Sequence, residues 1–209
     1  MNIIDKLKWR YATKKFDESR MLSNEKLNVL KEAFNLTATS FGLQTIKMVV
    51  IEDKKIRESL VEHSYNQKQV LEASHLLIIC IQDEINEVDV NNYYNNIKSI
   101  RNTPDEILDP YRLDLIKMMK RKSNEEQQHW SKNQAYIALG NLMTVCAIEN
   151  IDSCPMEGFV SKSYDQVLKL NEKGLNSVLL LPVGYRAEDD MFAGFKKVRM
   201  NITESVLEI

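Results

Sequence analysis

Three short apolar runs interrupt a chain whose hydrophobic and polar positions otherwise follow a helical period. The first, IKMVVIED at 46–53, is rich in β-branched residues and predicts a strand. The other two, HLLIICIQ at 75–82 and SVLLLPVGY at 177–185, are continuous and bounded by polar residues, the pattern of strands buried on both faces. Elsewhere, Ile3, Ile4 and Leu7 share one face of a first helix that Asn2 can cap. Leu27, Leu30, Ala33 and Phe34 repeat in the same way in a second, with Ser23 as its cap. Short helices are expected around 54–62, 67–73 and 161–170. Residues 84–122 are charged and helical in pattern, with Pro104 and Pro110 as punctuation. Exposed helices and a mobile cover both fit that stretch.

The segment 124–150 predicts the longest helix. Its first half is amphipathic, and from Ala135 to Ile148 it is apolar almost all round. That marks a helix buried in a core or in a subunit interface. Gly140 inside it costs about 1 kcal/mol relative to Ala, which fits close packing against another backbone, or a glycine that is simply tolerated.

These elements make one α+β domain over residues 1–209, with four or five strands separated by longer helical segments. The strands are too few and too irregularly spaced for a (β/α) barrel. With 209 residues, 44% hydrophobic and 28% charged, the chain has the balance of a globular protein with a real core. A net charge of −2 gives no global field that would draw it onto nucleic acid or an anionic membrane. No apolar run approaches the ~18 residues of a membrane span, and no export signal is evident, so a cytoplasmic location is expected. Cys80, Cys146 and Cys154 lack metal or redox spacing and read as buried free thiols. His63, His75 and His129 are far apart, so no metal site is expected.

Common catalytic signatures are absent: there is no G-x-G-x-x-G, no P-loop and no G-x-S-x-G. If this is an enzyme, a bound cofactor is the expected source of its chemistry. Two basic clusters then stand out. Arg10 and Lys14 lie near the start, and KKVR, with Lys196, Lys197 and Arg199, lies near the end. On an extended segment Lys197 and Arg199 point the same way, so the two clusters can enclose one phosphate. Ordinary surface charge explains them equally well.

Seven segments in order resemble the nitroreductase family. They are RYATKKFD at 10–17, TATSFGLQ at 37–44, YNQKQVLEASH at 65–75, WSKNQAYIALGNLM at 130–143, CPMEGF at 154–159, LLLPVGY at 179–185 and KKVR at 196–199. The resemblance implies a nitroreductase-like fold: a central, mostly antiparallel sheet surrounded by helices, in an intertwined homodimer. It also implies bound FMN, with NADH or NADPH as hydride donor and a small-molecule electron acceptor such as a nitroaromatic or quinone. No catalytic side chain is implied, because the reaction takes place at flavin N5.

The resemblance also distributes roles. Arg10 falls at the phosphate or ribityl end of the flavin, with the backbone of Tyr11 and Ala12 beside it. Lys14 falls near N1 and the C2 carbonyl, where a cation favours the reduced ring. Lys197 and Arg199 match the phosphate pair. Asn66 matches a polar group on the pyrimidine side, Gln69 stands where some branches place Lys and others Gln, and Glu157 with Gly158 match a backbone turn near N5, where glycine permits close approach. Pro155 and Gln134 are expected as neighbours of the ring. Thr39, Ser40 and Gly42 lie in the segment that family members contribute from the second subunit. Tyr11 and Ala12 replace more polar residues, and Thr45 replaces a common Pro. The stretch 84–122 corresponds to a cap over the substrate side, where Tyr93, Tyr94, Tyr111, Met118 and Met119 are candidate lining residues.

Overall fold

The computed structural model describes residues 2–209. Asn2 caps helix α1 (Ile3–Trp9) by accepting from the Ile4 amide at 2.9 Å, and Ser23 caps α2 (Asn24–Asn35) through the Lys26 amide. The apolar runs become strands β1 (Ile46–Ile51), β2 (His75–Gln82) and β4 (Leu175–Gly184). The fourth strand, β3 (Asp152–Ser153), has two residues and carries no periodic signal for sequence to show. The sheet runs β1-β2-β4-β3 with every pair antiparallel, among the described residues.

Between these strands lie α3 (Lys54–Ser59), α4 (Gln69–Glu72), α5 (Glu87–Arg101), α6 (Asp105–Lys120), α7 (Asn124–Ile148) and α8 (Ser161–Val167), with α9 (Ile202–Ser205) in the tail. Two stop signals separate α5 from α6: Asn102 in the left-handed region and Pro104 at the N-cap. Pro110 does not end a helix as its type predicts; it sits inside α6, where it brings no amide hydrogen. A reciprocal cap between Ser123 and Glu126 starts α7.

The period-2 geometry of β2 divides the interior. Leu77, Ile79 and Ile81 pack with Leu27 and Leu30 of α2 and with Ala135, Ala138 and Leu142 of α7. Leu76, Ile78 and Cys80 face a second core containing Phe16, Leu60, Val70, Tyr164 and Leu170. Helices therefore cover both faces of the sheet, which is why β2 reads as a continuous apolar run. A third cluster, with Val90, Leu115, Ile116 and Met119, holds α5 and α6 together. Met118, Tyr93 and Tyr94 pack against it, while Tyr111 is exposed.

The expected all-round burial of α7 is not met within one chain. Tyr136 and Ile137 are about half exposed, and a Cβ at Gly140 would meet nothing within 4 Å. Helix α1 has no buried residue, and Val198, Met200, Ile202 and Leu207 of the tail are also exposed. All three cysteines are free and buried, and burial pushes the Cys80 and Cys146 thiols up to about 12.

Candidate functional site

The opening segment is stitched to the sheet edge. Ala12 bridges Ser153 in parallel, the Thr13 amide donates to the Ser153 carbonyl at 3.3 Å, and Phe16 bridges Arg186. The Asp17 amide donates to Tyr185 O at 2.8 Å, and the Ala187 amide to Lys15 O at 3.0 Å. Trp9 and Tyr11 lie against the guanidinium of Arg186, which is 4.4 and 4.5 Å from their ring centres. Arg186 in turn donates from Nε to the buried Asp152 at 2.8 Å. The residues on either side of Arg10 are thus anchored through an aromatic–cation stack and an ion pair.

Arg10, Tyr11, Ala12, Lys14, Pro155, Lys197 and Arg199 line one cavity of about 490 Å3. The segments around Arg10 and Lys197, remote in sequence, meet there, with the Lys197 ammonium donating to the carbonyl of Arg10. The wall also carries Lys8 and Lys196 but no carboxylate. Among the described residues, Arg10, Lys14, Lys197 and Arg199 form no ion pair. Burial, reinforced by nearby Arg199, lowers the pKa of Arg10. The ammonium of Lys197 is lowered by burial and then by Arg10 and Arg199. Like charges are thus gathered without a counter-charge, the electrostatic signature of an anion site. Lys15 turns away and pairs with Asp189 at the surface.

A second group continues along the chain from Pro155. The Met156 amide donates to Leu180 O at 2.9 Å, which carries 155–158 along β4. Glu157 accepts from the Tyr136 hydroxyl at 2.5 Å. Gly158 O accepts from Gln67 Nε2 at 2.9 Å, and a Cβ at Gly158 would lie 3.0 Å from that nitrogen. Gln67, not Gln69, therefore joins the 65–67 turn to Gly158. Asn66 occupies that turn in the left-handed region, and Gln69 is buried at the start of α4.

Thr39, Ser40, Gly42 and Gln134 form a third group. The Ser40 amide donates to Gln134 Oε1 at 2.8 Å, and Thr39 Oγ1 accepts from the Gln44 amide. Gly42 has φ of 72°, and a Cβ there would lie 2.4 Å from the Tyr93 hydroxyl, so only glycine fits. None of the four lines the cationic cavity.

Sequence reasoning missed Asp190, which is 5% exposed and accepts from the Tyr11 hydroxyl and from the Lys14, Lys15 and Phe192 amides. Its only sequence signal is an acidic residue in a cap position ahead of the MFAG turn. Arg186, Asp152 and Gln67 were missed too, because their partners are remote in sequence. No group of histidine, cysteine or carboxylate residues that could hold a metal exists among the described residues.

Residues 7–185 match the model of the nitroreductase family. The chain belongs to that family. Within this nitroreductase family, a Bacillus subtilis protein named "Putative NAD(P)H nitroreductase YfkO" is 31% identical over 202 residues, covering 90% of each chain. A similarly named Staphylococcus epidermidis protein is 31% identical over 207 residues, covering 95% of this chain and 93% of its own. Among solved structures, a nitroreductase-like protein of Streptococcus mutans superposes with a TM-score of 0.86 at 20% identity, covering 99% of this chain and 97% of its own. A "putative nitroreductase in complex with FMN" from Exiguobacterium sibiricum gives 0.85 at 18% identity, covering 100% and 98%. The nitroreductase fold thus extends over the whole described chain, including the α5–α6 region where the sequence resemblance is weakest.

Proposed function

We propose that this nitroreductase-family chain is a cytoplasmic, homodimeric, FMN-dependent oxidoreductase. It takes electrons from NADH or NADPH and passes them in a ping-pong cycle to small electron-poor acceptors such as nitroaromatics or quinones. The observation that carries the reading is the convergence of Arg10, Lys197 and Arg199 on one cavity without a carboxylate.

The residues fit FMN. A phosphate dianion would relieve the mutual repulsion of the three cations, and the arginines offer paired charge-assisted hydrogen bonds. The cavity lies within the ~300–1,000 Å3 range of small-molecule sites. When bound, FMN supplies the two-electron redox chemistry that no side chain of this protein supplies. Lys14 stands on the same wall as a fixed cation for the pyrimidine edge of the ring. Asn66, Gln69, Glu157 and Gly158 belong to the segments that approach the ring, held together by the bond from Gln67 to Gly158. Three free buried thiols suit a reducing compartment.

The dimer is supported by what one chain leaves exposed. Helix α1, one face of α7 and the tail all present large apolar side chains. Thr39, Ser40 and Gly42 lie outside the cavity, which suits a segment that completes the neighbouring subunit's site; Gln134, expected beside the ring, is held to that segment through the Ser40 amide.

The test is the absorption spectrum of the purified protein, followed by anaerobic titration. A yellow protein whose flavin band bleaches with NADH or NADPH and returns with a quinone or nitroaromatic is expected. A colourless protein that gains no flavin band when FMN is added rejects the reading. Flavin that neither nucleotide bleaches restricts the protein to a binding role. A screen that includes enones and halogenated phenols resolves the acceptor class.

A further inference from the structure

We propose that Asp190 is the positioning residue of the cationic cradle: its buried carboxylate fixes the Arg10–Lys14 segment against the tail that carries Lys197 and Arg199. The inference rests on the FMN reading above and adds to it a residue that contacts no phosphate itself.

Both halves of the cradle are attached to this one side chain. Asp190 Oδ2 accepts from the Tyr11 hydroxyl at 2.7 Å, the Lys14 amide at 2.9 Å and the Lys15 amide at 3.2 Å. Oδ1 accepts from the Phe192 amide at 3.1 Å, and the Asp190 carbonyl accepts from Ala193 at 3.0 Å. The first set holds the segment that follows Arg10. The second shapes the Met191–Gly194 turn from which the chain runs to Lys197 and Arg199. No other residue in the protein links these two segments through so many bonds, among the described residues.

The charge of Asp190 is spent locally. The carboxylate forms no ion pair among the described residues, and it is absent from the cavity wall. Burial alone would raise its pKa, but the bonds from Tyr11, Lys14, Phe192 and Lys15 outweigh that and hold it below its ordinary value, so it is ionised at neutral pH. Three donors converge on Oδ2 and a fourth on Oδ1; a carboxylate accepts at both oxygens, whereas an amide accepts at one and would turn its NH2 toward a donor.

A positioning role and a purely electrostatic role predict opposite signs. Removing a negative charge near a phosphate site strengthens phosphate binding if charge alone matters. Removing the anchor weakens it if geometry matters. The experiment measures dissociation constants of FMN and of riboflavin, which lacks the phosphate, for the apo full-length protein and for Asp190→Ala, Asp190→Asn and Tyr11→Phe. Wild type is expected to favour FMN strongly. Asp190→Ala is expected to cut that preference by roughly tenfold or more, the equivalent of one or two lost charge-assisted bonds, with a smaller loss for riboflavin, which meets Lys14 but none of the phosphate-binding cations. Asp190→Asn, which can still accept through one oxygen, should fall between, and Tyr11→Phe should show a smaller loss of the same kind.

Equal losses for FMN and riboflavin would mean general scaffolding and overturn the proposal, as would tighter FMN binding in Asp190→Asn. A wild type that favours FMN, with an unchanged preference in Asp190→Ala, overturns this inference alone. A wild type with no preference overturns the flavin reading and the inference together. Should Asp190→Ala not fold, Tyr11→Phe decides, since it removes a single donor from the same carboxylate.

Discussion

Arg10 illustrates how neighbours fix the place of a side chain. Trp9 and Tyr11 grip Arg186, Asp152 holds Arg186, and Asp190 holds Tyr11. The Arg10 guanidinium between them is thereby presented to a cavity with five further cations and no carboxylate. Arg10→Ala or Arg199→Ala should each weaken FMN by roughly 10–100-fold, because each leaves a buried phosphate oxygen short of a charged donor. Lys14→Ala should also lower the flavin midpoint potential, since a cation at the pyrimidine edge favours the reduced ring. Equilibrium titration checks the first and spectroelectrochemistry the second; unchanged affinity and potential would reject the site. Sequence made the cations visible, and the alternation of Lys197 with Arg199 agrees with both lining one wall, but surface charge fitted that pattern equally well. It did not reveal Asp190, Asp152 or Gln67. Each acts through a backbone amide, a carbonyl or one remote partner, and such contacts leave no local pattern.

Elements were legible where burial is two-sided and illegible where length fails. HLLIICIQ forms β2 over all eight residues because both faces of the strand meet a core. Two-residue β3 is fixed instead by its neighbours, Gly184 and Val183 of β4 and the bridge from Ala12. Pro110 is the converse case. A residue that should stop a helix is carried inside α6 because Leu108, Leu115, Ile116 and Met119 bury one face of the whole helix. Tertiary packing overrides the local preference, at a cost. Pro110→Ala restores an amide donor toward the turn before it and removes a ring–carbonyl clash. It should raise stability by about 1–2 kcal/mol after the lost chain stiffness is counted, read as a higher midpoint in urea. A lower midpoint would mean that the ring contributes packing or a required bend.

For the molecule as a whole, the sheet and its two helical layers account for the core but leave α1, the outer face of α7 and the tail uncovered. The fold class and the burial of the sheet were readable from periodicity. The degree of association was not, because an apolar helix looks the same in a core and in an interface. Gly140 separates the two. With open space at its Cβ, Gly140→Ala should stabilise an isolated chain by about 1 kcal/mol through helix propensity. In the proposed dimer the same methyl group enters a packed helix contact, so it should weaken self-association in sedimentation experiments. A variant that is stabilised and still dimeric would place the interface elsewhere.

The contact between Lys197 and Arg10 carries a last consequence. The cradle is assembled from the residues after which trypsin cuts: Arg10, Lys14, Lys196, Lys197 and Arg199. Without a bound anion these side chains repel one another, and Val198 between two of them is 85% exposed. If FMN occupies this cavity, it should shield these residues, and limited trypsin digestion should cut them more slowly with FMN present than without it; equal cleavage would count against the site.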